Sequence, residues 1–162
     1  MASAREVAET VTDPELPMLT LAELGVLREV TESTGRVEVT ITPTYTGCPA
    51  LDAMRADLRS RLAGAGYADV RVRTVLDPPW TTDWISESGR RKLREAGIAP
   101  PGTAPRRAPG PIPLTLGPTR RVHCPHCGSA DTVEVSRFSA TACKSLRRCA
   151  ACSEPFEHFK EI

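Results

Sequence analysis

Arg36-Val37-Glu38-Val39-Thr40-Ile41-Thr42-Pro43-Thr44-Tyr45-Thr46-Gly47-Cys48-Pro49-Ala50 is the stretch from which the fold can be built. Val37, Val39 and Ile41 alternate with Glu38 and Thr40, the pattern of a strand with one buried face. From Ala50 to Ala63 the apolar residues Leu51, Met54, Leu58 and Leu62 recur at helical spacing, and Gly64 and Gly66 end the run. The order is therefore strand, tight loop, helix, with a cysteine at the mouth of the helix.

Upstream, Ser33-Thr34-Gly35-Arg36 joins this strand to another over Val26–Thr31, giving a hairpin. Before it, Thr20 can cap a single helical turn ending at Gly25. Ser3 and Glu6 have the spacing of a capping box, opening a short first helix that should stop at Asp13-Pro14. Downstream, Val70, Val72 and Val75-Leu76 mark a third strand, and a helix over about Ser86–Ala96 follows. The sum is an α+β layer, a small three-stranded sheet with helices over one face.

The chain has 162 residues and 15 prolines, seven of them between Pro100 and Pro118. That aperiodic segment reads as a linker, or as a strap over the first domain. The expected organisation is a helix-covered domain over 1–99, a proline-rich linker over 100–118 and a β-rich ribbon over 119–162. The parts before and after Pro100 carry net charges of −3 and +4. Neither is the strong one-sign field of a nucleic-acid or membrane-surface protein. No run of 18 apolar residues occurs to cross a membrane, and the charged N-terminus lacks the apolar core of an export signal. A cytoplasmic location is expected, where cysteines serve metal or thiol chemistry more than disulfides.

The last 44 or so residues are too few to hold a core unaided. Cys124-Pro125-His126-Cys127 and Cys149-Ala150-Ala151-Cys152 are two CxxC knuckles 21 residues apart. Each turns two sulfurs toward one point, and two such turns give tetrahedral S₄ ligation of a structural zinc. Zinc there supplies folding energy on the order of 10 kcal/mol. Iron is the rival metal, since an S₄ site also suits it. Cys143 is then a spare thiol or an additional ligand, and His123, His126 and His158 are surface or supporting residues.

Cys48 stands apart. Placed between strand and helix, with Pro49 in the first turn, its thiol should lie at the positive end of the helix dipole, which lowers a thiol pKa. A transient metal ligand, a nucleophile and a small buried hydrophobe all fit that position. Trp80 and Trp84 are either partner anchors or packing residues.

The order Asp13-Pro14-Glu15-Leu16-Pro17, Leu24-Gly25-Val26 and Thr42 to Ala50 resembles the MIP18 family of iron–sulfur assembly factors. Pro78-Pro79-Trp80-Thr81-Thr82-Asp83-Trp84-Ile85, Gly97-Ile98-Ala99-Pro100-Pro101, Thr141-Ala142-Cys143-Lys144 and Glu154-Pro155-Phe156 narrow the resemblance to the PaaD (PaaJ) family of phenylacetate degradation, over nearly the whole chain. The resemblance implies an accessory role beside a multicomponent di-iron monooxygenase that makes the ring 1,2-epoxide of phenylacetyl-CoA. On that basis Cys48 is a transient ligand of iron or an iron–sulfur cluster, with Asp13 and Glu15 shaping the site, and Cys124, Cys127, Cys149 and Cys152 hold structural zinc. The implied partners are the reductase, expected to carry a [2Fe–2S] cluster, or the oxygenase components. The alternative is a non-catalytic structural subunit that docks through its ribbon. No catalytic residue is assigned: there is no Glu-x-x-His pair for a di-iron site and no G-x-G-x-x-G loop for a dinucleotide. Nucleic acid and membrane are not expected partners.

Overall fold

The computed structural model describes residues 2–104 and 120–162. Its elements are helix α1 (Ala4–Glu9), strands β1 (Leu27–Ser33) and β2 (Arg36–Ile41), helix α2 (Leu51–Gly64), strand β3 (Asp69–Thr74), a 3₁₀ turn (Thr82–Trp84), helix α3 (Glu87–Glu95), and strands β4 (Ile98–Ala99), β5 (Thr132–Ser136), β6 (Lys144–Cys149) and β7 (Pro155–Phe159). The architecture is α+β, with a three-stranded sheet in the order β1-β2-β3 and a four-stranded sheet in the order β4-β7-β6-β5.

Ser3 and Glu6 form a reciprocal capping box: the Ser3 amide donates to the Glu6 carboxylate at 2.7 Å and the Glu6 amide to Ser3 Oγ at 3.3 Å. Helix α1 ends at Thr10, before the predicted stop at Asp13, because the chain turns there to bridge Thr12 with Thr20. Val11 is nevertheless buried. The β1–β2 hairpin closes on Thr34 and Gly35, both at positive φ, as a two-residue turn between right-twisted strands requires.

Strand β3 pairs parallel to β2, so α2 is the crossover that connects them. Alternation buries Val37, Val39 and Ile41 on one face of β2, and Met54, Leu58 and Leu62 of α2 are buried as the helical spacing predicts. Gly25 lies at φ +75°, and a Cβ there would come within 2.6 Å of Trp84 Cβ. Only glycine lets the 3₁₀ turn pack this closely.

The C-terminal strands are tied to the first part of the chain. Residues 98–99 form β4, which pairs parallel with β7. Trp80 donates from Nε1 to the Leu24 carbonyl at 3.0 Å, and its ring centroid lies 5.9 Å from that of Phe159 in β7. The Thr82 amide donates to the Ile162 carbonyl at 3.0 Å. Cys143 and Phe159 belong to the same apolar cluster as Leu24, Ile41 and Leu62. Of the segment predicted as a linker, Pro100 to Ala104 are described and the rest lies outside the described residues. Gly102 and Ala104 donate their amides to Glu161 and Asp83, at 3.0 Å each.

Candidate metal centre and thiol site

The two knuckles face one another. Cys124, Cys127, Cys149 and Cys152 have sulfurs within 4.8 Å of one another, with Cys124–Cys152 at 3.8 Å and Cys127–Cys149 at 3.6 Å. A tetrahedron built on metal–sulfur bonds of about 2.3 Å has edges of about 3.8 Å, so the quartet fits one tetrahedral ion. Backbone geometry sets the first knuckle: the Gly128 amide donates to the Cys124 carbonyl and the Cys124 amide to the Ser129 carbonyl, both at 2.9 Å. In the second, the Cys149 amide donates to the Glu154 carbonyl at 3.0 Å. The Cys152 amide, with that of Ala151 adding to it against the cost of burial, holds the Cys149 thiol down at about 7. Among the described residues this is the one group of three or more ligand side chains so tightly gathered. His123 lies outside the quartet, with Nδ1 3.1 Å from the Gly128 carbonyl, and His158 is buried between Ser145 and Glu161.

Cys48 and Cys143 lie outside this quartet, Cys143 in the core of the first sheet and its helices and Cys48 packed against it. Cys48 sits in the loop between β2 and α2, half-buried, with its amide donating to the Tyr45 carbonyl at 3.3 Å. Helix α2 begins at Leu51 and has Ala50 as its N-cap, so Pro49 lies in the preceding turn and not in the first helical turn. The expectation of a lowered Cys48 pKa is corrected: burial pushes this thiol up, and the negative charges of Glu15, Asp13 and Cys143 push the same way against one lowering contact from the Ala50 amide. The pull of a helix dipole fades within a turn, and burial outweighs it here.

Asp13 is buried, and its Oδ1 accepts the amides of Glu15 and Leu16 at 2.8 Å each. It thus shapes the loop carrying Glu15. Burial raises its pKa, with those amides and the Lys144 ammonium acting in opposition. Cys143 reaches this neighbourhood from just before β6. Burial raises its pKa, while Thr141, whose Oγ1 is 3.0 Å from the sulfur, and Lys144 lower it. Tyr45 is raised by burial and by the charges of Cys48, Glu15 and Cys143. Lys144 is itself buried and pairs with Glu157 at 2.7 Å. The charges of three segments distant in sequence, around residues 13–15, 45–48 and 141–144, thus act on one another.

Sequence reasoning placed Asp13, Glu15 and Cys48, and left Cys143 as a spare or an extra ligand of the ribbon. The structure sets Cys143 away from the ribbon quartet and in the apolar cluster against which Cys48 packs. Lys144, Tyr45 and Thr141 were not singled out. Their only signal was adjacency to the two cysteines within the quoted motifs. Trp80, offered as a possible partner anchor, is 3% exposed and serves the core. Trp84 is half-buried, with the Arg28 guanidinium 3.5 Å over its ring.

The fold and the four-cysteine cluster agree with the class that the family models give: an iron–sulfur cluster assembly domain extended by a zinc ribbon. Residues 2–77 match the family model described as iron–sulfur cluster assembly protein, and residues 108–160 match that of the PaaD zinc beta ribbon domain. A curated relative from Escherichia coli K12, named as one of the subunits of a 1,2-phenylacetyl-CoA epoxidase, is 41% identical over 94% of this chain and 87% of its own. The chain belongs to the PaaD family. An Fe-S protein maturation auxiliary factor from Porphyromonas gingivalis is 34% identical over 52% of this chain and 81% of its own. The crystal structure of a domain of unknown function, DUF59, from Bacillus anthracis is similar with a TM-score of 0.52 and 27% identity, over 56% of this chain and 87% of that one. No described helix is long and apolar enough to cross a membrane.

Proposed function

We propose that this chain is an accessory factor that assembles or delivers an iron–sulfur cluster, or its iron, for the multicomponent phenylacetyl-CoA 1,2-epoxidase. Cys48 is the transient ligand of the cargo, and Asp13 and Glu15 shape and charge its surroundings. The single observation that carries this reading is the position of Cys48: half-buried, next to the Asp13–Glu15 loop, and not part of any preformed quartet. A thiol kept protonated by burial and nearby carboxylates gives up its ligand more readily than a preformed thiolate. Cys124, Cys127, Cys149 and Cys152 would hold zinc. An ion held by these four sulfurs would tie the two knuckles together and offer no open position to a substrate. The chain contributes no catalytic residue in this reading, and oxygenation and reduction belong to other subunits.

The recipient we favour is the reductase component. The test is to co-express that reductase with the wild-type chain and with Cys48→Ser. Full cluster occupancy with wild type and a large deficit with the variant are expected; equal occupancy would remove Cys48 from the mechanism.

A second reading, a non-catalytic docking subunit, has one observation in its favour. Val133 and Val135 on β5 and nearby Phe138 are 56%, 59% and 64% exposed, an apolar strip on the ribbon. Stable one-to-one co-purification with the oxygenase, abolished by Val135→Ser with Phe138→Ser, would favour this reading over delivery.

A further inference from the structure

Cys143 is a residue of the C-terminal ribbon sheet by connectivity, since its carbonyl accepts the Lys160 amide at 2.9 Å beside β6 and β7. By packing it belongs elsewhere. The ribbon's own apolar cluster comprises Ala99, Val122, Cys124, Cys149 and Phe156 with Cys152 at its margin. Cys143, 6% exposed, is instead buried in the core of the first sheet and its helices, in the cluster against which Cys48 rests. The ribbon thus inserts one thiol into the other module, on the side where that module keeps its own.

The surroundings are those of a ligand site more than of an inert core. A hydrophobic thiol would be expected among aliphatic side chains. Cys143 has, besides the apolar residues of that cluster, the Thr141 hydroxyl at 3.0 Å and the buried Lys144 as its chain neighbour, and the charge of Glu15 acts on it. Cys48 shares Glu15 and adds Asp13 and Tyr45. Two soft sulfur donors with carboxylates select iron or another thiophilic metal over magnesium or calcium. Two thiolates beside two carboxylates make an excess of negative charge, and Lys144, paired with Glu157 at 2.7 Å, leaves most of it in place, which suits a cationic iron centre as the cargo's contact.

We infer that Cys48 and Cys143 together form a two-thiolate site for the cargo, so that the site is shared between the two modules and is incomplete without the ribbon. This rests on the delivery reading above and adds to it the second ligand. Binding releases one proton from each thiol as two iron–sulfur bonds form, with no change in oxidation state. Because Asp13, Glu15 and Lys144 are gathered from both modules, separating the modules would dismantle the site even with Cys48 intact.

The test uses the full-length, zinc-loaded protein, reconstituted anaerobically with ferrous iron and sulfide and measured for bound iron, bound sulfide and visible absorbance. Wild type is expected to bind cargo, and Cys48→Ser and Cys143→Ser are each expected to lose it while keeping one zinc and wild-type circular dichroism. Cargo retained by Cys143→Ser but lost by Cys48→Ser would overturn the shared site and leave Cys48 as sole ligand. Cargo absent from wild type would overturn the delivery reading itself. Should Cys143→Ser lose zinc or fold, the adjacency is read in wild type with dibromobimane, which bridges two neighbouring thiols. A fluorescent peptide pair joining Cys48 to Cys143, suppressed by prior loading, is expected; Cys48 alkylated alone would contradict the proposal.

Discussion

The four ribbon sulfurs lie within 4.8 Å of one another on two facing turns, whereas Cys48 and Cys143 belong to no such quartet. The first arrangement is ready for a metal before one arrives. In the proposed reading the second has to gather further ligands, so occupancy there is conditional. If both serve as proposed, a resident ion holds the scaffold while an exchangeable one passes through it. The scaffold itself is shared, because β4 completes the ribbon sheet and Trp80 rests against Phe159.

The largest effect that would sharpen this contrast comes from the ribbon. Replacing Cys149 with Ser removes a buried ligand, and since zinc binding supplies on the order of 10 kcal/mol, the variant should lose its zinc and the order of β5–β7. Zinc analysis and amide hydrogen exchange check this; a folded, metal-free ribbon would erase the distinction between the sites. Next is the joint between modules. Trp80→Ala removes a buried indole, its bond to the Leu24 carbonyl and its contact with Phe159, and should cost about 3–5 kcal/mol. Calorimetry should show the transition splitting or falling, and an unchanged single transition would mean the modules are not coupled through this residue.

A smaller effect concerns acid. Despite the cost of burial, bonds from Lys92, Ser88 and the Thr20 amide hold the Glu23 carboxyl down at about 2, from 4.5. A depressed folded-state pKa means the stabilisation is complete above pH 4.5 and is lost as pH falls from there toward 2. Glu23→Gln should flatten that acid limb by about 1–3 kcal/mol, measured by urea unfolding as a function of pH. Smallest of all is the stability change in Cys48→Ser, expected to be under about 1 kcal/mol because the site is half-buried and the replacement nearly isosteric. A loss several times larger would make Cys48 a packing residue and merge the two kinds of sulfur site into one structural kind.

Much of this was legible in the chain. The alternation of Val37, Val39 and Ile41 and the spacing of Met54, Leu58 and Leu62 are local signals, and each produced its element. The knuckles were legible because two short spacings suffice to define a tetrahedron. Strand β6 was not, since Lys144-Ser145-Leu146-Arg147-Arg148-Cys149 has no apolar alternation. Its Lys144 and Ser145 are buried because Glu157 and His158 on β7 meet them, a fact no local pattern carries. Strand β4 is two residues long and exists through its pairing with β7. The state of Cys48 was misjudged for the same reason: its helix is adjacent in sequence, but the burial that raises it, and the charges of Glu15, Asp13 and Cys143 that add to it, come from segments distant in sequence. Long-range placement, and not residue type, put Cys143 in the core of the first module and not in the ribbon's own cluster.

The contrast between resident and exchangeable metal is tested most directly by following both ions in one sample. Anaerobically reconstituted wild-type protein is mixed with excess cluster-free reductase, separated, and assayed for zinc, iron and sulfide. The account predicts that one zinc stays with this chain while iron and sulfide leave together for the reductase; iron retained in place of zinc, or zinc lost alongside the iron, would contradict it.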